Sequence, residues 1–218
     1  MSDSTALSPR DFATTLNVSR ETLARLETYA HLLERWQARI NLVSGRSLGD
    51  LWRRHFLDSA QALPIMPADA APGPVYDVGS GAGFPGLVLS ILGISDVRLI
   101  ESDARKCVFL REAVRLTGAD ADVIHGRLPE IARDGGLPSG GVILARGLAP
   151  LPKLLDIVFP VISPATCCIF LKGAGADAEI SDARSRWRFD LDKIQSCTSP
   201  DGVLLKLTGI CHDGTAHR

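Results

Sequence analysis

The residues with the clearest chemical potential form one run, Val75-Tyr76-Asp77-Val78-Gly79-Ser80-Gly81-Ala82-Gly83-Phe84-Pro85-Gly86. An apolar strand leads into a glycine-rich turn, and the apolar residues 87–92 continue as a helix. Glycines let a backbone turn sharply and lie against a ligand, and the start of a helix offers unpaired N–H groups. Such a junction binds a nucleotide, unless these are ordinary turn glycines. Counted as Gly81, Gly83 and Gly86, the run matches G-x-G-x-x-G, and Glu101 then lies at the right remove to bind the ribose of a dinucleotide. Counted from Asp77, it reads D-x-G-x-G-x-G, with glycines at Gly79, Gly81 and Gly83. A carboxylate then stands where a pyrophosphate would want a cation.

The second count resembles the S-adenosylmethionine loop of Rossmann-like methyltransferases. That cofactor carries an α-amino group and a sulfonium, so Asp77 suits it by charge.

Further candidates sit at the tips of other strands. Glu101 ends a strand over 97–100, where its carboxylate can accept from both ribose hydroxyls. Gly126, Arg127, Leu128 and Pro129 follow a strand over 121–125 and offer main-chain and apolar groups to an adenine. Arg146 ends the run Val142-Ile143-Leu144-Ala145, where a guanidinium can pair a cofactor carboxylate, a phosphate or the acceptor edge of guanine. An amino-methyltransferase of adenine would carry Asn or Asp, Pro, Pro, Tyr or Phe at this place, and Ala145-Arg146-Gly147 stands there instead. Lys172, with Gly173, ends a strand over 166–171 and adds a second cation, though Lys172 and Arg127 also read as solvated side chains. Upstream, His55, Asp58 and Ser59 fall at i, i+3 and i+4 of a helix beside Arg53 and Arg54. Spacing alone favours a self-satisfied surface network there. A Ser-His-Asp hydrolase is disfavoured, because its nucleophile needs an elbow of its own.

Positioning these groups takes a sheet. From Val75 onward strand patterns alternate with helices over 87–92, 104–116 and 151–158, which implies parallel strands, helices on both faces and ligands at the carboxyl ends. Patterns at 187–194 and 202–210 add a strand pair that closes the sheet antiparallel, making seven strands. Before the sheet, Ser8-Pro9 and Ser19 start helices. Leu23, Leu26, Ala30, Leu33, Trp36 and Ile40 sustain the second to about Asn41, and a third begins near Ser47 and carries Leu51, Trp52, His55, Phe56 and Ser59. The expected organisation is a helical cap over 1–63, a proline-rich connector over 64–74 and a catalytic domain over 75–218.

Length and charge narrow the classes. At 218 residues there is room for one α/β domain and an appendage, but not for a dehydrogenase's separate substrate domain. A net charge of −1 argues against unspecific attraction to nucleic acid, so an RNA partner has to rest on particular residues. No stretch approaches a membrane span, and Met1-Ser2-Asp3 opens without a signal segment, so a cytoplasmic protein is expected. Cys107, Cys167, Cys168, Cys197 and Cys211 contain no C-x-x-C pair, so neither a disulfide framework nor a metal is expected.

Several separate motifs now add up. Trp36, Ile40, Asn41 and Leu42, then His55, Asp58 and Ser59, then Asp77 to Gly86, Arg146, and Leu171-Lys172-Gly173 together resemble the bacterial 16S ribosomal RNA guanine-N7 methyltransferases, also called the glucose-inhibited division protein B family. The likeness runs from about Leu23 to Gly173. It implies an α/β, Rossmann-like class I methyltransferase with a mostly parallel seven-stranded sheet and an N-terminal helical extension. It also implies a cytoplasmic, S-adenosylmethionine-dependent enzyme that methylates N7 of a guanine in the 530 loop of 16S rRNA, on free RNA or the small ribosomal subunit, acting as a monomer. On this likeness Asp77, Gly79, Gly81, Gly83, Phe84 and Glu101 bind the cofactor, joined by Leu128, Pro129 and Arg146. Arg146, Arg127 and Lys172 are the candidates for catalysis, and Arg53, Arg54, His55 and Asp58 for holding RNA. Low-level streptomycin resistance on loss of the modification is expected by the same analogy. Two residues depart from the family pattern: Gly147 replaces the usual alanine, and Pro129 lacks an N–H near the expected adenine pocket. The rivals are an NAD-dependent oxidoreductase and a ribosome-binding assembly factor with a vestigial site.

Overall fold

The computed structural model describes residues 6–67 and 73–213. The opening Met1-Ser2-Asp3 and residues 68–72 of the connector lie outside the described residues. Seven strands form one sheet: β1 (Val75–Val78), β2 (Val97–Glu101), β3 (Ala121–His125), β4 (Val142–Arg146), β5 (Cys167–Lys172), β6 (Trp187–Gln195) and β7 (Val203–His212). Their order is β3-β2-β1-β4-β5-β7-β6. The first five are parallel, and β7 runs antiparallel between β5 and β6, which is the closing pair expected from the sequence. Strand order reverses at β1, which pairs with β2 on one side and β4 on the other. An open sheet of this kind has its crevice outside the strand tips at that reversal.

Helices cover both faces. The N-terminal part holds α1 (Pro9–Leu16), α2 (Arg20–Gln37), α3 (Gly45–Leu48), a π-helical turn (Trp52–Leu57) and α4 (Asp58–Ala60). Then come α5 (Gly86–Ile91), α6 (Ala104–Thr117), α7 (Leu128–Arg133), α8 (Leu151–Val158) and α9 (Ala176–Ala183). Ser8 caps α1 through a reciprocal bond with Asp11, and Ser19 caps α2 by accepting from the Thr22 amide, so both helix starts fall where the sequence puts them.

Three expectations need correction. The second helix stops at Gln37, short of Asn41, because the Gln37 carboxamide accepts from the Leu42 and Val43 amides and donates to the Val43 carbonyl, satisfying a turn that replaces the last helical one. The third helix is not a single α-helix: its middle widens into the π turn. The six-residue α7 and eight-residue α9 went unforeseen, because the first buries only Leu128 and the second only Ala176 and Ala183, too few apolar positions to mark a helix.

The N-terminal helices are not perched on the sheet. Leu26, Tyr29, Leu33 and Phe56 share one buried cluster with Phe84, Leu87, Phe109 and Leu110, so the glycine loop and the N-terminal segment are packed together. A second cluster, with Tyr76, Ile143, Leu154 and Trp187, fills the other face. Among the described residues no helix is long and apolar enough to cross a membrane.

Candidate active site

Two clefts open at the strand tips, and the stretch after β4 divides them. The first, of about 410 Å³, is lined by Val78 and Gly79 at the end of β1, Ile100 and Ser102 at the end of β2, residues 126–130 after β3, and Leu148, Lys153 and Ile157 beyond β4. Its apolar residues, Val78, Ile100, Leu128, Leu148 and Ile157, share the lining with Ser102, Arg127, Glu130 and Lys153, the make-up of a site for a small ligand with a few polar contacts.

The loop beside it depends on positive φ angles at Gly79 (+71°), Gly81 (+57°) and Gly83 (+93°). Two of them also have no room for a side chain. A Cβ on Gly79 would come 2.7 Å from the Leu148 side chain across the cleft, and one on Gly83 would meet the Tyr29 hydroxyl at 2.9 Å. Gly81 donates its amide to Glu101 Oε2 at 2.8 Å, while Glu101 Oε1 accepts from the Asp103 amide at 2.8 Å. Tyr29 also donates to the Ala82 carbonyl, so α2 buttresses the loop from behind.

Asp77 is fully buried and lies outside the lining of either cleft. Its Oδ2 accepts from the Gly86 amide at 3.1 Å, its Oδ1 has no hydrogen-bond partner among the described residues, and burial raises its pKa to about 7. The carboxylate therefore occupies the start of α5, where a dinucleotide's pyrophosphate would have to sit. Its charge reaches the first cleft only through the loop it anchors.

The second cleft, of about 310 Å³, lies between the π turn, the tips of β4 and β5, and the turn joining β6 to β7. Its centre is Arg146. One guanidinium nitrogen donates to Asp58 Oδ2 at 3.1 Å and to the Arg54 carbonyl at 3.2 Å; the other donates to His55 Nδ1 at 2.8 Å. The carbon of the guanidinium stands 5.0 Å from the centre of the Phe84 ring, on which the His55 ring also stacks at 4.9 Å. Ser47 Oγ donates to the Ser44 carbonyl at 2.7 Å, so at its 2.7 Å contact with His55 it accepts, and the His55 proton lies on Nε2. Burial, then the charges of Arg146 and Arg54, lower the His55 pKa to about 3 and keep it neutral. Asp58 Oδ1 accepts from Thr198 Oγ1 at 2.6 Å and from Gln61 at 2.8 Å.

The sequence candidates thus separate. Gly79, Arg127, Leu128 and Pro129 line the first cleft, with Pro129 as the second residue of α7, where its missing N–H costs no helical bond. Arg54, His55, Asp58, Arg146 and Lys172 meet at the second. His55 and Asp58 do not bond each other, as helical spacing suggested, because the π turn aims both at Arg146; Ser59 donates to the His55 carbonyl. Gly81, Gly83, Phe84 and Glu101 support from behind. Lys172 donates to the Ala149 carbonyl at 2.6 Å and pairs with Glu179 at 2.8 Å, and Glu179 accepts from the Leu151 amide, so this lysine holds the stretch after β4. Arg53 turns to Asp50, outside both clefts. Leu148, Gln61 and Thr198 were missed. No local signal ties Thr198 to Asp58, 140 residues away.

Comparison with known proteins decides the family. Residues 22–203 match GidB, described as rRNA small subunit methyltransferase G. The chain belongs to this family. It is 46% identical over 202 residues to ribosomal RNA small subunit methyltransferase G of Paramagnetospirillum magneticum, covering 92% of this chain and 95% of that one. It is 47% identical over 213 residues to the protein of the same name from Parvibaculum lavamentivorans, covering 95% and 92%. The fold resembles that of a glycopeptide N-methyltransferase solved with S-adenosyl-L-methionine, with a TM-score of 0.57 and 11% identity over 71% of this chain and 93% of that one. It also resembles the fibrillarin/Nop5p complex, with a TM-score of 0.56 and 11% identity over 72% and 82%. The rRNA small subunit methyltransferase G family thus has the class I methyltransferase fold here, and the oxidoreductase reading is set aside.

Proposed function

We propose that the chain methylates N7 of a guanine in the 530 loop of 16S rRNA, with S-adenosylmethionine as donor. One observation carries the reading: the largely apolar first cleft and the cleft around Arg146 meet at the consecutive residues Gly147 and Leu148. Donor and acceptor can then face each other across a single turn of chain.

The residues fit the donor. Val78, Ile100, Leu128 and Ile157 would flank its adenine and the main chain at 126–128 would meet the polar edge of the ring, while Glu101, with its oxygens on the Gly81 and Asp103 amides, holds the loop beside the ribose. When bound, S-adenosylmethionine supplies an electrophilic methyl group on a sulfonium. Guanine N7 presents an in-plane lone pair, so no proton leaves before attack and no general base is required. The second cleft suits that demand, since His55 is neutral with both nitrogens bonded and Asp58 is committed to Arg146, Gln61 and Thr198. A donor aimed at N7 would block the nucleophile, so Arg146 is assigned to guanine O6, a phosphate or the cofactor carboxylate. Lys172 positions the turn after β4, Arg127 serves the rim of the first cleft, and Arg54 holds RNA at the rim of the second. Alignment supplies most of the acceleration. The base must leave its stack to reach the clefts.

The same reading places the protein in the cytoplasm, acting as a monomer on the small subunit or its RNA. The test incubates the protein with labelled donor and undermodified 16S rRNA or small subunits, then maps the product by mass spectrometry. A methyl group on guanine N7 is expected. Binding without transfer would favour an assembly factor.

A further inference from the structure

Trp36, Ile40, Asn41 and Leu42 carry part of the family likeness, yet none lines either cleft. They border a third concavity of about 410 Å³, formed by Arg39, Asn41, Asp103, Arg105 and Lys106 with the end of α2. Its walls are fixed. Trp36 Nε1 donates to Glu112 on α6 at 3.0 Å, Leu42 is buried, and the Gln37 carboxamide holds the main chain of 42 and 43, so the turn carrying Arg39 and Asn41 faces the start of α6.

The charge there is one-sided. Asp103 is the one acid in the lining; its Oδ1 accepts from the amides of Arg105 and Lys106, and its Oδ2 lies 3.6 Å from the Arg105 guanidinium. Among the described residues the side chains of Arg39, Asn41 and Lys106 have no hydrogen-bond or ion-pair partner. In a chain of net charge −1, a concavity with three cations and one spent carboxylate is a local excess. It also borders the first cleft, because Ser102 lines that cleft and Asp103 lines this groove.

We infer that this groove takes the ribose-phosphate backbone of the RNA strand flanking the target nucleotide. Arg39, Arg105 and Lys106 pair its phosphates, and the Asn41 amide bonds a 2′-hydroxyl or a base edge. The inference rests on the RNA substrate proposed above.

The test is the double substitution Arg39→Glu with Lys106→Glu in the full chain. Binding of a single-stranded RNA carrying the target loop is followed by anisotropy across a salt series, alongside methyl transfer and S-adenosylhomocysteine binding. RNA affinity should fall at least about tenfold, and the slope of log K against log salt should flatten by about 1.4, two contacts at roughly 0.7 each. S-adenosylhomocysteine binding should be unchanged, and an acid at the start of α6 accords with the helix dipole. Asn41→Ala should weaken RNA binding without changing the slope. Wild-type affinity and slope in the double variant would overturn the groove. Loss of RNA binding in the variant, with no methyl transfer even by the unsubstituted protein, would overturn the proposed reaction and leave the groove standing.

Discussion

The first cleft leans on a glycine loop held through its main chain, and the second on a network of side chains. Beside the first, the Gly81 amide bonds Glu101 and the Gly79 backbone passes close to Leu148, in a lining where aliphatic residues share the wall with Ser102, Arg127, Glu130 and Lys153. Around the second, Arg146 is held by two side chains and a carbonyl of the N-terminal segment, and one of those side chains is held in turn from the β6–β7 turn. A backbone site tolerates truncation of its side chains but not an added Cβ. A side-chain site fails when any one member is removed, because the remaining buried groups lose partners.

Arg146→Ala should have the largest effect, lowering kcat/KM for methyl transfer on the order of a thousandfold, about 4 kcal/mol. With Arg146 on guanine O6 or a phosphate, affinity for S-adenosylhomocysteine, measured by calorimetry, should change less than about threefold. A parallel loss of that affinity would assign Arg146 to the cofactor carboxylate instead and dissolve the contrast.

A buried titrating group anchors the loop behind the first cleft and another lines the second, and the two work in opposite directions. Burial raises Asp77 to about 7, so the folded state holds a proton that the unfolded state releases, and stability falls as pH rises from about 4 to about 7. His55 is lowered to about 3, so between about pH 6.5 and 3 the unfolded state takes the proton instead, and stability falls as pH drops. The slopes oppose each other over the shared range. Asp77→Asn removes one while leaving an oxygen for the Gly86 amide. In urea titrations the variant should be more stable than the parent above pH 7 by about 4 kcal/mol, with the gap shrinking steadily toward pH 4. A gap that does not change with pH would mean that Asp77 is ionised throughout and not governed by burial.

The same division explains what could be read from the sequence. The first cleft is local: the Asp77 to Gly86 run and the residues after β3 lie next to the strands that place them, so spacing finds them. What spacing misjudged there is direction, since Asp77 points into the protein and Glu101 is already bonded to two amides. The second cleft depends on contacts 88 to 140 residues apart, between Asp58 and Arg146 and between Asp58 and Thr198. Helical spacing put His55 and Asp58 together correctly but paired them with each other, because nothing in the residues 52–57 announces a π turn. The strands β1, β2, β4 and β5 were legible because buried parallel strands are near-continuous apolar runs, whereas α7 buries only Leu128 and α9 only Ala176 and Ala183, too few apolar positions to mark a helix.

Gly79→Ala tests the main-chain side of the contrast. The new methyl group would sit at a φ of +71° and 2.7 Å from Leu148. Since Leu148 is a partly exposed side chain that can turn away, most of the penalty is conformational. Affinity for S-adenosylhomocysteine should fall about thirtyfold, with little change in the KM for RNA. Adding Leu148→Ala should recover part of the loss, and no recovery would mean that the backbone alone sets the penalty.

Thr198→Val is the finest probe of the side-chain network, because it touches neither Arg146 nor any reacting group. It removes the hydroxyl that bonds Asp58 Oδ1 at 2.6 Å and keeps the volume, leaving Gln61 as the remaining donor to that oxygen. With one restraint gone, Asp58 can turn toward water and loosen its hold on Arg146, which a reaction governed by alignment should register. The expected result is a drop in kcat of about tenfold, roughly 1.4 kcal/mol, with S-adenosylhomocysteine affinity and unfolding midpoint nearly unchanged. Thr198→Ser restores the hydroxyl and should restore the rate. If serine fails to rescue, the β6–β7 turn contributes bulk to the cleft wall, and the network that positions Arg146 ends at Asp58.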